Sequence, residues 1–439
     1  MNKPEPAKTA ETALEFDVAV IGGGPAGMMA AGRAAERARE EGRQIKVVIL
    51  EKNVGLGKKL LITGGGRCNV TNAEFDDRAL LAKFKDSAKF LFSTFSQYSV
   101  KGALEFFNSR DMPTKVENEK RVFPVSDSAK SVWDVLVRYL QDGDVTVLSK
   151  AQVTGFVVAT SADAKSKHIE AIRLKDGRTI KAKSFILATG GTSHPETGST
   201  GDGYAWLAEL GHIVAGPKVS LVPVECEDAW VRKLSGFSLP HAKITLFQNG
   251  VKAAGRTATK KGKVLFTHFG LSGPAILNMS SEIGELMKYG DVIISLDLLP
   301  THDYATLNEA LQNLFRDQSN KKFKNALDAL IPAPLIPAVL EKTNVSGDTF
   351  CHSITREERL LLIQVLKDMR IRPTGLLGAD KAIITSGGVA LSEIDWRTMR
   401  SRMVDNLAIV GDLLDIDRPS GGYSLQLCWT TSWVAGNSI

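Results

Sequence analysis

Three clusters of residues have types and spacings suited to chemistry. The first, Gly22-Gly-Gly24-Pro-Ala26-Gly27, fits G-x-G-x-x-G. In such a turn the first glycine permits the tight bend. The second lets a pyrophosphate approach the backbone, and the third lets helix pack on strand. An anion placed there meets unpaired N–H groups and the positive end of a helix dipole. Glu51 follows roughly 20 residues on, where a carboxylate can accept hydrogen bonds from ribose hydroxyls. A ligand-free glycine turn would explain the motif alone, but turn, acid and spacing together predict a dinucleotide site.

The second cluster is Lys58-Lys-Leu-Leu-Ile-Thr63-Gly64-Gly-Gly66-Arg67-Cys68-Asn69. Consecutive glycines expose a run of N–H groups and Arg67 adds a cationic fork, so this loop suits a flavin ring or a pyrophosphate. Cys68 has no second thiol close by in sequence, which disfavours a disulfide reductase. The third cluster separates a flavin from a nicotinamide. The apolar run Leu407-Ala-Ile-Val410 leads into Gly411-Asp412, where a carboxylate suits a ribityl hydroxyl. Gly421-Gly422-Tyr423 then opens a predicted helix. A helix N-terminus at the flavin N1–C2=O edge would favour the negative charge that builds there on reduction.

Among protonatable groups, His268 in Phe266-Thr-His268-Phe-Gly-Leu-Ser272-Gly-Pro274 is the best candidate beside a substrate. Ser272 and Pro274 predict a capped helix start there. A structural histidine next to an ordinary helix fits the same residues. Arg121 suits either a substrate anchor or a surface salt bridge, and His194 reads as a loop residue.

The elements that must position these groups follow from hydrophobic patterning. Phe16–Ile21 and Ile45–Leu50 read as buried strands around an Ala-rich helix from about Pro25 to Glu41, a βαβ unit. A mixed, helical stretch runs from Ala79 to Leu140. Strands are predicted at Val145–Leu148, Val153–Ala159, Ile169–Leu174 and Thr179–Lys181, with a hairpin turn at Lys175–Arg178. A separate apolar strand, Phe185–Ala188, leads into Thr189-Gly190. After Pro217 the pattern changes to short β runs, then to helices from Tyr304 to about Met369, and back to βαβ-like grammar from Ala382.

Composition sets the outer bounds. The 439 residues suggest about three domains. Hydrophobic residues make up 43% and charged residues 24%, an ordinary globular balance. The net charge of +6 comes from 55 basic and 49 acidic residues spread along the chain. The longest basic cluster, Lys260, Lys261 and Lys263, reads as a solvated hairpin, so no nucleic-acid partner is expected. Four cysteines without a CxxC pair fit a reducing compartment and no metal site. Met1–Leu14 reads as a disordered tail without a signal peptide, and no apolar run approaches the roughly 20 residues of a membrane span. A cytoplasmic enzyme without a membrane partner is expected.

Taken together, GGGPAG, KKLLITGGGRCNVTN, LATGG, FTHFGLSGPAIL and GDLLDIDRPSGGYSLQ resemble the YhiN/BaiN-type family of FAD-dependent oxidoreductases, which is related to aminoacetone oxidase-like flavoproteins. The resemblance runs from Asp17 to Gly436, and Thr200-Gly-Asp-Gly203 is similar to a segment of fumarate reductases. It implies an α/β fold: a discontinuous Rossmann-like FAD-binding domain, 15–216 and 376–439, with an inserted β-barrel, 217–300, and a helical subdomain, 301–375. It also implies that Gly22, Gly24, Ala26, Gly27, Glu51 and Lys52 hold the adenosine and pyrophosphate. Val153 would offer backbone contacts to the adenine. Thr189 and Gly190 would pass under the cofactor. Arg67, Cys68, Asn69, Gly411, Asp412, Gly421, Gly422 and Tyr423 would surround the ribityl chain and ring. This chain departs from the family pattern in carrying Ser424 after the Gly-Tyr pair, and its last helix is expected to be short.

Two activities follow from the resemblance. One is reduction of an activated C=C or C=O on a small molecule, with NAD(P)H as co-substrate and His268 or Tyr423 supplying the proton. The other is oxidation of a small amine such as aminoacetone, with release of hydrogen peroxide. A nicotinamide would bind without a Rossmann domain of its own. A flavoprotein whose main role is binding RNA or a protein is a third class, and the scattered charge argues against RNA.

Overall fold

The computed structural model describes residues 14–160, 166–253, 258–382 and 384–439; the N-terminal tail read from the sequence lies, up to residue 13, outside them. The chain divides into two compact units. One takes the residues up to Val219 together with the chain from 384 onward, and the other is Ser220–Ala382.

The first unit is built on a nine-stranded sheet. Its centre is β1 (Leu14–Ile21), joined by α1 (Pro25–Glu40) to β2 (Val47–Leu50). β1 runs parallel to β2 on one side and to the strand Thr179–Leu187 on the other. The strand Leu407–Ile409 adds in parallel to Thr179–Leu187, so the C-terminal stretch enters the same sheet. Registers align Ile21 with Leu50, Ile21 with Leu187, and Leu187 with Ile409. The carboxyl ends of these strands therefore share one edge, where ligands of open α/β sheets bind.

Sequence patterning read Thr179–Lys181 and Phe185–Ala188 as two strands. They form one, because its two halves sit in different surroundings. The first half pairs antiparallel with Lys167–Leu174 and alternates buried with exposed residues. The second half, Phe185–Leu187, is fully buried between its parallel neighbours. The last helix, Tyr423–Asn437, has 15 residues rather than the short span expected, and twelve of them are buried. It crosses α1 closely at Gly436, where a Cβ would stand 2.6 Å from the Ala30 carbonyl oxygen.

The second unit carries an eight-stranded sheet ordered 369–371, 292–297, 238–248, 259–266, 270–272, 224–226, 373–376, with 251–252 paired to 238–248. Its two end strands are consecutive in the chain with Arg372 between them, which curls the sheet toward a barrel. The β-rich and helical stretches read separately at 217–300 and 301–375 share one core, since Ile244 and Leu296 cluster with Leu307 and Leu362.

Candidate dinucleotide site

A cleft partly open to solvent lies at the carboxyl edge of the parallel sheet in the first unit. Its floor is the Gly22–Ala26 turn. Gly22 has φ +105°, and a Cβ there would stand 2.5 Å from the Ala188 carbonyl oxygen. A Cβ on Gly27 would stand 1.8 Å from the Gly22 carbonyl oxygen, so the strand–helix crossing requires glycine. Gly24 differs: a Cβ there would meet nothing within 4 Å. The space beside Gly24 opens on the cleft at the N-terminus of α1, whose first-turn N–H groups have no helical acceptor.

Glu51 closes β2 and is 7% exposed. Its Oε2 accepts from the Gly23 N–H at 2.9 Å and its Oε1 from the Asn53 N–H at 2.7 Å. These bonds hold the carboxylate on the cleft wall with lone pairs to spare. Lys52 pairs with Asp202 at 2.9 Å, which ties the β2 end to the helix Asp202–Glu209. Ala151 and Val153 line one wall, with the Ala151 N–H bonded to the Glu51 carbonyl at 2.9 Å. Thr189 and Gly190 line the cleft below the turn. The Thr189 hydroxyl is buried and has no hydrogen-bond partner among the described residues. A buried hydroxyl in that state costs about 1–3 kcal/mol unless something in the cleft takes the bond.

The C-terminal stretch completes the cleft through Val410, Asp412, Ser424, Leu425 and Cys428. Asp412 accepts from the buried Arg418 guanidinium, which also donates to the Ser424 hydroxyl at 3.0 Å and the Ile416 carbonyl at 2.8 Å. The Lys59 ammonium stands 3.9 Å from the other Asp412 oxygen. Burial pushes the Lys59 pKa down, and Asp412 opposes that shift. Burial, reinforced by Asp412, pushes the Cys428 thiol up to about 12, so it stays protonated and is no nucleophile.

Of the other predicted residues in the first unit, Arg67, Cys68, Asn69, Gly411, Gly421, Gly422 and Tyr423 do not line the cleft. Arg67 bonds Glu117 at 2.5 Å and Asp127 at 2.9 Å, and lies 4.2 Å over the Phe123 ring. Cys68 is fully buried, with its thiol pushed up to about 12 by burial. Asn69 accepts from the Val122 N–H at 3.2 Å. Farther along the same segment, Asn72 donates to the Gly421 carbonyl at 3.0 Å, and the Val70 carbonyl accepts from Trp429 at 2.9 Å. That segment thus holds the start of the C-terminal helix in place. Gly411 donates its N–H to Thr431 at 3.2 Å, and Gly422 is the left-handed residue before the helix. Tyr423 is 7% exposed, packs edge-on against Phe84, and has its phenol pushed up by burial.

His268 belongs to the second unit, exposed on the Thr267–Gly270 turn with its ring against Phe269. Ser272 does not cap a helix as expected: it ends the strand Gly270–Ser272, and the helix Pro274–Leu277 starts from Gly273 without a side-chain cap. Arg121 pairs with Glu119, and His194 bonds Glu196 at 2.8 Å in a loop turn. Sequence reasoning passed over Lys59, Arg418 and Cys428. The one legible signal was Cys428, one helical turn beyond Ser424.

The open space at Gly24, the unpartnered Thr189 hydroxyl and two carboxylates at one sheet edge suit an extended, hydroxyl-rich dinucleotide. The chain is 28% identical over 429 residues to the ribosomal RNA dihydrouridine synthase of Escherichia coli (strain K12), covering 97% of this chain and 98% of that one. It is 29% identical over 422 residues to the 3-dehydro-bile acid delta(4,6)-reductase of Clostridium scindens, covering 96% and 98%. Its fold is similar to the solved 3-ketosteroid delta1-dehydrogenase of Sterolibacterium denitrificans, with TM-score 0.52 and 12% identity over 97% of this chain and 99% of that one. The model of the HI0933-like protein Rossmann domain matches residues 16–438.

Proposed function

The chain belongs to the HI0933-like Rossmann-domain family, and on that premise we propose that it is an FAD-dependent reductase of a C=C bond activated by a neighbouring carbonyl. The observation that carries this reading is the meeting of Gly24, Glu51, Thr189 and Asp412 on one cleft. Gly22, Gly24, Ala26 and Gly27 would receive the pyrophosphate at the α1 N-terminus. Glu51 would accept from ribose hydroxyls, with Lys52 beside it. Val153 would offer its backbone to the adenine. Thr189, Gly190 and Asp412 would bond the ribityl chain. Gly411, Gly421, Gly422 and the first turn of Tyr423–Asn437 would face the ring, with Arg67, Cys68 and Asn69 bracing that end. Bound FAD supplies a two-electron carrier that takes and gives hydride.

Two relatives support the choice of a C=C bond. Making dihydrouridine and reducing a delta(4,6) steroid both add hydrogen across a double bond conjugated to a carbonyl. Such a reduction needs a proton as well as a hydride. His268 and Tyr423 are the proposed sources; the Tyr423 phenol, held protonated by burial, has a proton to give. NAD(P)H is the proposed reductant. A second reading places the double bond in a uracil base of RNA, in keeping with the relatives from E. coli and Haemophilus influenzae named for ribosomal RNA.

The test is anaerobic. NADH and NADPH are added separately and flavin bleaching is followed, and then an enone is added to the reduced protein. Recovery of flavin colour by the enone, without oxygen, supports the reductase. Bleaching by aminoacetone, with peroxide formed on admitting air, would instead establish the amine oxidase.

A further inference from the structure

We infer that the outer face of two adjacent strands in the second unit, Ser238–Gln248 and Thr259–Phe266, docks the phosphate backbone of single-stranded RNA. From Ala229 to Ser281 the chain holds eight Lys and Arg and no Asp or Glu. The fold concentrates part of that charge. Lys243 lies directly opposite Lys261 in the antiparallel pair, and Lys263 follows two residues along on the same face. Like charges directly across a strand pair destabilise it. Lys261 and Lys263 are exposed, Lys243 is half-buried, and none of the three forms a salt bridge among the described residues. The nearest acid across the sheet, Asp297, faces Lys243 from the next strand but pairs with Lys367 at 2.7 Å. It leaves the lysine excess in place.

The rest of this face suits a nucleic-acid strand. Thr245 and Thr259 lie opposite each other beside the lysine row, and hydroxyls there can donate to phosphate oxygens. Two residues beyond Thr245, Phe247 is half-buried with the Arg370 guanidinium 5.8 Å from its ring centroid. Cations, hydroxyls and an aromatic ring on one strand face are the ingredients of single-strand binding: charge tracks the backbone and rings stack bases. Alternate residues Ile244 and Leu246 are fully buried, so the sheet itself fixes the row of cations.

This inference deepens the reading in which the reduced double bond belongs to a base of RNA, and rests on that reading for its purpose. Binding is measured without turnover, so the two can fail separately. The whole protein is titrated with a short fluorescein-labelled, uridine-containing RNA, following anisotropy over a range of salt. The parent should bind, with log affinity falling linearly with log salt. Replacing Lys243→Gln, Lys261→Gln and Lys263→Gln together should make that slope shallower by about 2, since each phosphate neutralised on a single strand adds roughly 0.7 to it. Lys261→Gln alone should remove roughly 0.7, which keeps the test open if the triple variant fails to fold. Flavin content should be unchanged in both. An unchanged slope, or binding to phosphatidylserine vesicles with none to RNA, overturns the inference. RNA binding through these lysines without reduction of a uridine in that RNA would uphold the surface and remove the reading on which it rests.

Discussion

Arg418 donates to the Asp412 carboxylate from the loop that leads into the C-terminal helix, and it is 1% exposed. The same guanidinium reaches Ser424 and the Ile416 carbonyl, so one side chain sets a carboxylate and a helix start on the cleft. Arg418→Ala should destabilise the protein by about 3 kcal/mol, because it strands Asp412 with only Lys59 at 3.9 Å. Arg418→Lys should rescue little, since a single ammonium cannot replace the fork. Urea unfolding of the three proteins checks this, and a full rescue by lysine would show that charge alone suffices.

Two glycines of the turn should separate folding from cofactor binding. Gly27→Ala forces a Cβ to within 1.8 Å of the Gly22 carbonyl oxygen, so stability should drop by about 1–3 kcal/mol or more. Gly24→Ala meets no protein atom within 4 Å, so the urea midpoint should barely move while the flavin-to-protein absorbance ratio collapses. A Gly24→Ala protein with full flavin would place the pyrophosphate elsewhere.

Glu51→Ala should weaken FAD binding by about 1.5–3 kcal/mol, the value of hydrogen bonds to a charged group. The loss would combine ribose contacts with slackening of the Gly23 and Asn53 N–H groups that Glu51 now holds. Fluorescence titration of the apoprotein with FAD measures it. An unaltered dissociation constant would remove Glu51 from the ribose.

A buried histidine should make stability depend on pH. His212 meets Glu393 at 2.8 Å through Nδ1 and Ser401 at 2.9 Å through Nε2. The Ser401 hydroxyl oxygen accepts from the Met403 and Val404 N–H groups, so its proton goes to Nε2 and the neutral ring donates from Nδ1 to Glu393. Burial pushes the His212 pKa down despite Glu393. The unfolded chain then binds the proton more readily. The stabilisation is fully present above the unfolded value of about 6.5, and it is lost as pH falls through the lower, folded value. Urea midpoints should therefore drop between neutral and mildly acidic pH, and His212→Gln should flatten part of that drop. Parallel pH profiles for the two proteins would contradict this.

The parts of the site that were legible in the sequence are those whose chemistry is local. The glycine turn, Glu51 and Asp412 each follow a strand whose apolar run is continuous, so their place at the sheet edge could be read. Lys59 and Arg418 could not, because their partners Asp412 and Ser424 come to them only through folding. The strand Thr179–Leu187 reads as two because polar Lys183 and Ser184 interrupt it where one face meets solvent. Two lysines of the basic face, Lys261 and Lys263, sit together in the sequence, but Lys243 joins them only across a strand pair. The absence of acids over Ala229–Ser281 was the readable signal.

The most direct test of the account is the identity of the cofactor the purified protein carries. Denaturation should release non-covalent flavin that chromatographs as FAD, in about one equivalent after reconstitution. NADH or NADPH should bleach it without oxygen, and an enone should restore it. A protein that takes up FMN or no flavin, with the Gly22–Gly27 turn intact, would contradict the account.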